Sequence, residues 1–133
     1  MHRQISACGA ILALVAGVTT ASIAEARTPL SEREILQTVA GKRIYLKTPL
    51  GGEFPLHYKS DGRVNGSGDA VGLGRFMKPK DQGRWWVRGN RLCQKWQSWY
   101  EGRQFCFTLS KGEGDTLFWT RDDGLSGRAR MEN

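Results

Sequence analysis

From Lys42 to the end of the chain, short strand-like runs alternate with glycine-bearing turns, and this punctuation restricts the fold more than any other feature. "KRIYLKT" is followed by "PLGG", "EFPLHYKS" by "DG", and "RVNGSG" by a looser glycine-rich stretch through Gly74. "GRWWVR" meets "GN", after which "RLCQKW" and "QFCFTLS" flank an aromatic connection. "KGEGD" leads into "TLFWT", "DDG" follows, and "LSGRARM" closes the series. Turn signals at this spacing describe an antiparallel meander rather than a helical bundle. Of the 17 glycines, all but Gly9, Gly17 and Gly41 fall in this region. A mainly β meander of about eight strands closes most economically into a small barrel, because closure leaves no unpaired edge. An open, strongly bent sheet packed on a helix is the other solution.

One helix precedes the meander. In "LSEREILQTVAG" (30–41), Ser31 and Glu34 have capping-box spacing, and Leu30 and Ile35 stand as a hydrophobic staple. Ile35, Leu36 and Val39 are the expected buried stripe of a helix over about 32–40, and Gly41 stands at its C-terminal cap. No repeat or second domain breaks the remainder, so residues 27–133 read as a single domain.

The first 26 residues have the pattern of a cleaved export signal. "MHRQ" gives a basic start, "ISACGAILALVAGVTTASIA" is apolar and uncharged, and "AEA" before Arg27 has the small–x–small pattern of a cleavage site. An uncleaved anchor is the competing reading, disfavoured by Gly9, Gly17 and the Thr-Thr-Ala-Ser interruption. Cys8 precedes the apolar core instead of following it, so "ISAC" is not a lipidation site. The expected location is periplasmic or secreted, with no membrane span left after cleavage. Export would leave Cys93 and Cys106 as an even pair in an oxidising compartment, where a disulfide is the default. The loop it closes is worth about 3 kcal/mol in the chain-entropy model. A reactive thiol would need an activating base, and His57, the one histidine past the signal, is remote in sequence.

The ribbon around Gly89-Asn90 is legible residue by residue. A two-residue turn there pairs Arg88 with Arg91, Val87 with Leu92, Trp86 with Cys93, Trp85 with Gln94 and Arg84 with Lys95. Alternation then places Trp85, Val87, Leu92 and Trp96 on one face, and Arg84, Trp86, Arg88, Arg91, Cys93 and Lys95 on the other. In the next strand Phe105, Phe107 and Leu109 complete the apolar wall, while Cys106 joins the basic face. A tight turn at Glu101-Gly102 would set Cys93 opposite Ser110, out of disulfide reach. A loop of about four residues, "SWYE" (98–101), or a bulge restores the match. That register pushes Trp99 and Tyr100 towards a loop tip.

The net charge of +7 is unchanged by loss of the signal, since Arg3 and Glu25 cancel. Like-charge pairs across strands cost stability, and two of them, Arg88–Arg91 and Arg84–Lys95, flank Trp86. Guanidinium groups match phosphates and carboxylates, and indoles stack on ring faces. The candidate binding residues are therefore Arg84, Trp86, Arg88, Arg91, Lys95, Trp99, Tyr100 and Arg103. They fit a non-catalytic protein that recognises an anionic glycan, a lipid headgroup or an envelope protein; nucleic acid is not the expected partner. The plainer reading has the basic side chains lying over Trp86 and shielding it.

Catalytic and cofactor motifs are not apparent. "GSGDAVGLG" (66–74) lacks a GK[ST] ending, and "RDDGLSG" and "KGEGD" read as turns rather than calcium loops. One histidine and two paired cysteines make no zinc site. Glu53 with Asp61 is a carboxylate pair of a kind any such chain offers. No nucleophile elbow accompanies His57. No cofactor is implied. An enzyme with a ligand inside the barrel would need an unfilled polar interior, whereas Trp85, Trp96, Phe105 and Phe107 are bulky enough to fill a small one.

The block from "DGRVNGSG" through "GRWWVRGNRLCQKWQSWYEGRQFCF" to "DDGLSGR" resembles small exported alphaproteobacterial proteins of uncharacterised function. That resemblance implies a periplasmic, lipocalin-like β fold and transfers no catalytic residue. "NGSGDAV" (65–71) is partly similar to the serine–glycine loop of periplasmic lysozyme inhibitors, with Asp69 and Val71 departing from it. This likeness implies an alternative role as inhibitor of an exported lysozyme or protease, working through loops such as 66–74.

Overall fold

The computed structural model describes residues 9–19, 27–49, 51–68 and 78–132. The 66–74 loop beyond Gly68, the "AEA" site and Cys8 lie outside the described residues. Residues 9–19 form neither helix nor strand, and Ile11, Leu12, Leu14, Val15 and Val18 stay exposed. Among the described residues, no helix is long and apolar enough to cross a membrane.

The meander closes. Strands β1 (Lys42–Lys47), β2 (Glu53–Tyr58), β3 (Arg63–Ser67), β4 (Lys80–Arg88), β5 (Arg91–Trp96), β6 (Gln104–Lys111), β7 (Thr116–Arg121) and β8 (Ser126–Met131) form one antiparallel barrel, each paired with the next and β8 with β1. The open-sheet alternative is thereby set aside. Helix α1 (Glu32–Val39) precedes the barrel. Its capping box is formed, with Glu34 N–H donating to Ser31 Oγ and Ser31 N–H to Glu34 Oε1. Glu32 N–H donates to Asn90 Oδ1, and Leu30 N–H to the Leu109 carbonyl, so the helix is docked on the β4–β5 turn and on β6. Gly41 takes a φ of 74°, the left-handed turn that starts β1.

The helix buries Ile35, Thr38 and Val39. Leu36, expected in the stripe, is 42% exposed, and Thr38 replaces it by donating its hydroxyl to the Glu34 carbonyl. The helix meets β1, β4 and β5 at the end of the barrel where β4 finishes and β5 begins. At the opposite end lie the connections 48–52, 97–103 and 122–125, and this end carries no α-helix among the described residues.

The expected register holds along β4 and β5, although Cys93 on the outer side is as buried as its neighbours Leu92 and Gln94. The register pairs Arg84 with Lys95, Trp85 with Gln94, Trp86 with Cys93, Val87 with Leu92 and Arg88 with Arg91. Cys93 faces Cys106 in the next ladder, and the two are joined in a disulfide. Trp85, Leu92, Trp96, Phe105 and Leu109 are buried, as an inward set must be.

The β5–β6 connection is longer than the expected four residues, running from 97 to 103 around a single turn of 3-10 helix at Trp99–Gly102. Tyr100 and Glu101 both adopt left-handed backbone, with φ of 56° and 57°. The physical result differs from a protruding tip. Trp99 folds back over the barrel mouth and is only 4% exposed.

Candidate functional site

Trp99 is therefore removed from the set of exposed stacking residues. Its ring lies 4.6 Å from Trp96 and 5.1 Å from Phe54, and its indole N–H donates to the Lys78 carbonyl at 2.6 Å. Gly66 makes room for it, since a Cβ there would press into the Trp99 ring and lie 2.9 Å from Trp96. Burial of two indoles outweighs anything a solvated tip would offer. Tyr100 also leaves the basic face. It is 44% exposed, stands at the open mouth, and meets Phe105 edge-on at 5.5 Å.

The other named residues stay together outside. Arg84, Arg88, Arg91 and Lys95 are exposed on β4 and β5, with half-buried Trp86 between them. Arg103, in the β5–β6 connection, is exposed as well, 5.3 Å from the Phe105 ring. The barrel adds Arg63, which faces Arg84 from β3 and extends the row to Arg63–Arg84–Lys95. Arg63 is held by Asp61 at 2.7 Å, whereas Arg84, Arg88, Arg91 and Lys95 form no ion pair among the described residues. Arg63, Arg84, Trp86, Lys95 and Glu101 line one shallow outer groove.

The cation–π contacts of the described residues fall on rings other than Trp86. Guanidinium groups cover other rings: Arg27 sits 3.5 Å over Phe118, Arg121 lies 4.2 Å over Phe105, and Arg130 lies 4.2 Å over Tyr45. None of the described cations lies over Trp86. The disulfide beside it is less displayed than expected, with Cys93 fully buried and Cys106 half-buried.

A second outer groove contains Arg43, His57, Asn65, Gln82 and Asp81. Arg43, His57, Asn65 and Gln82 are successive partners across β1–β4. Although His57 and a carboxylate meet here, Asp81 is committed elsewhere. Its Oδ2 accepts the backbone N–H groups of Ser98 and Trp99, both at 2.8 Å, and Lys78 Nζ stands 3.7 Å from Oδ1. Burial works to raise its pKa, but the N–H groups of Trp99, Ser98 and Gln82, with Lys78, outweigh that and hold it below the usual carboxylate range. Its role is to pin the β5–β6 connection. Glu53 and Asp61 face different cations, Arg130 with Lys47 and Arg63 respectively. Among the described residues, no cluster of His, Cys, Asp and Glu is fit to hold a metal.

The interior holds what sequence reasoning passed over. Tyr58 donates its hydroxyl to Gln94 Oε1 at 2.7 Å inside the barrel. Burial, helped by Tyr100, pushes the Tyr58 phenol well above its usual range, so it remains a donor. Gln94 had a visible signal, since it shares inward parity with Leu92 and Trp96. Arg121 did too, two residues beyond Trp119 on the same face. The bulky inward residues do not fill the barrel, which retains a hollow of about 130 Å³.

No family model, no curated protein and no solved structure matches this chain.

Proposed function

We propose that this is a non-catalytic binding protein of the bacterial envelope, which recognises an anionic component through the outer face of β4 and β5. The ligand chemistry is phosphate or carboxylate beside a sugar or other ring, as offered by an anionic glycan or a lipid headgroup. One observation carries the reading. Four cations without carboxylate partners among the described residues, Arg84, Arg88, Arg91 and Lys95, face one another in like-charge pairs around a half-exposed Trp86 with which none of them makes a cation–π contact. Such a cluster costs stability in the free protein and is relieved when an anion enters. Arg103 extends the charge towards the barrel mouth.

Retention on lipopolysaccharide and on vesicles containing anionic lipid, measured across a salt series, tests the reading. The double substitution Arg88→Gln with Arg91→Gln should weaken retention and flatten its salt dependence. Retention unchanged by that substitution would overturn it.

A further inference from the structure

The two outer grooves of the barrel meet at one side chain. The first, of about 740 Å³, runs past Arg63, Arg84, Trp86 and Lys95. The second, of about 480 Å³, holds Arg43, His57 and Asn65. Gln82 lines both. It is exposed on β4 two positions before Arg84, and so points to the same outer side. Strand pairing carries the line onward, from Gln82 to Asn65, from Asn65 to His57 and from His57 to Arg43. With neighbouring strands about 4.8 Å apart, the row from β1 to β4 spans roughly 14 Å, and β5 with Lys95 adds about 5 Å more.

The two grooves differ in chemistry. The Trp86 groove offers cations beside an indole. The row beyond Gln82 offers neutral groups, and among the described residues the side chains of His57, Asn65 and Gln82 make no hydrogen bond and no ion pair. A carboxamide or a neutral imidazole both donates and accepts, as a sugar hydroxyl does. Arg43 closes the row with a guanidinium 3.7 Å from Glu132. A lipid headgroup would use the cations and leave this row idle. Surfaces that settle on a bilayer also bury apolar side chains in it. The large hydrophobic side chains exposed among the described residues are Leu36, Tyr100, Leu125 and those within 11–18, and none stands on the outer face of β1 to β5.

We infer that Gln82 joins the two grooves into one track for an extended anionic glycan, with an acidic sugar at Trp86 and hydroxyl-bearing sugars along Gln82, Asn65 and His57. The inference rests on the binding role proposed for the outer face and selects one ligand class for it.

Isothermal titration of the purified chain with digalacturonate and hexagalacturonate, and its sedimentation with phosphatidylglycerol vesicles, test the track. Hexagalacturonate should bind about tenfold or more tighter than digalacturonate, because the shorter chain reaches one groove only. The double variant Asn65→Ala with Gln82→Ala alters no charge. It should weaken hexagalacturonate about fivefold, leave digalacturonate unchanged and keep the salt dependence of both. A polyanion held by charge alone would be insensitive to that substitution. Equal affinity for the two oligomers, absence of saturable hexagalacturonate binding, or full affinity in the folded double variant would overturn the inference. Sedimentation with the vesicles in the absence of hexagalacturonate binding would also overturn it, and would assign a lipid headgroup instead. Retention on lipopolysaccharide then separates the two claims. If it still falls in the Arg88→Gln/Arg91→Gln variant, only the glycan track is lost; if it does not, the binding role of the outer face is lost as well.

Discussion

Asp81 holds the chain just beyond the last rungs of the β4–β5 ladder. It sits near the start of β4, and its Oδ2 receives the N–H groups of Ser98 and Trp99 from the far side of the β4–β5 hairpin. With those bonds made, Trp99 lies down on Trp96 and Phe54 and closes part of the open end. Asp81→Asn keeps the size but loses the charge, and hydrogen bonds to a charged group are worth about 1.5–3 kcal/mol. The variant should therefore unfold with a stability lower by about 2 kcal/mol in urea titrations at neutral pH. The sign of the pH effect follows from the lowered pKa. The unfolded chain takes up the proton first, near the ordinary value of about 3.9. Stability from this group is therefore complete above that pH and lost as pH falls through the lower folded value. Urea midpoints measured between neutral pH and the acid range should fall less steeply in Asp81→Asn than in the parent. No sequence pattern announces this bond, because its partners are backbone amides placed by a connection whose path depends on the barrel around it.

The β4–β5–β6 ribbon shows how far local pattern reaches. A two-residue turn fixes register without further information, and the pairing of Arg84 through Arg88 with Lys95 through Arg91 follows from it. The disulfide then sets the third strand, placing Cys106 opposite Cys93. The connection between β5 and β6 was not legible to the same degree. Its length and its two left-handed residues, Tyr100 and Glu101, answer to Trp99 seeking the core, and alternation carries no information about that. The ribbon also separates stability from binding. Replacing Arg91 with Glu turns a like-charge pair into an opposite one on an exposed face, so Arg91→Glu should raise the urea midpoint modestly. The same variant should bind lipopolysaccharide less well than the parent. A cluster of purely solvated cations would show the first effect without the second.

On the scale of the whole molecule, the barrel has two unlike ends and two unlike faces. The helix covers one end through Ile35 and Val39, while Trp99 and Tyr100 narrow the other. The apolar segment 9–19 remains exposed, and its one backbone hydrogen bond to a described residue is local, from Ala16 to Leu14. A chain beginning at Arg27 should therefore melt at the same temperature as the full chain, by circular dichroism. A lower melting temperature would mean that the leading residues contribute to the fold.

What the sequence by itself determined is what short-range periodicity carries: the helix with its capping box, the sequence of strands and turns, the faces of β4, β5 and β6, and the cysteines that meet across a ladder. Those features depend on neighbours a few positions apart, where stereochemistry leaves little choice. Only the tertiary structure decided that Trp99 is core, that Arg63 joins the outer row, that Asp81 pins a remote connection, and that large inward rings still leave a hollow. Each depends on distances between elements far apart in the chain and on how eight strands share one interior volume, which no local pattern encodes.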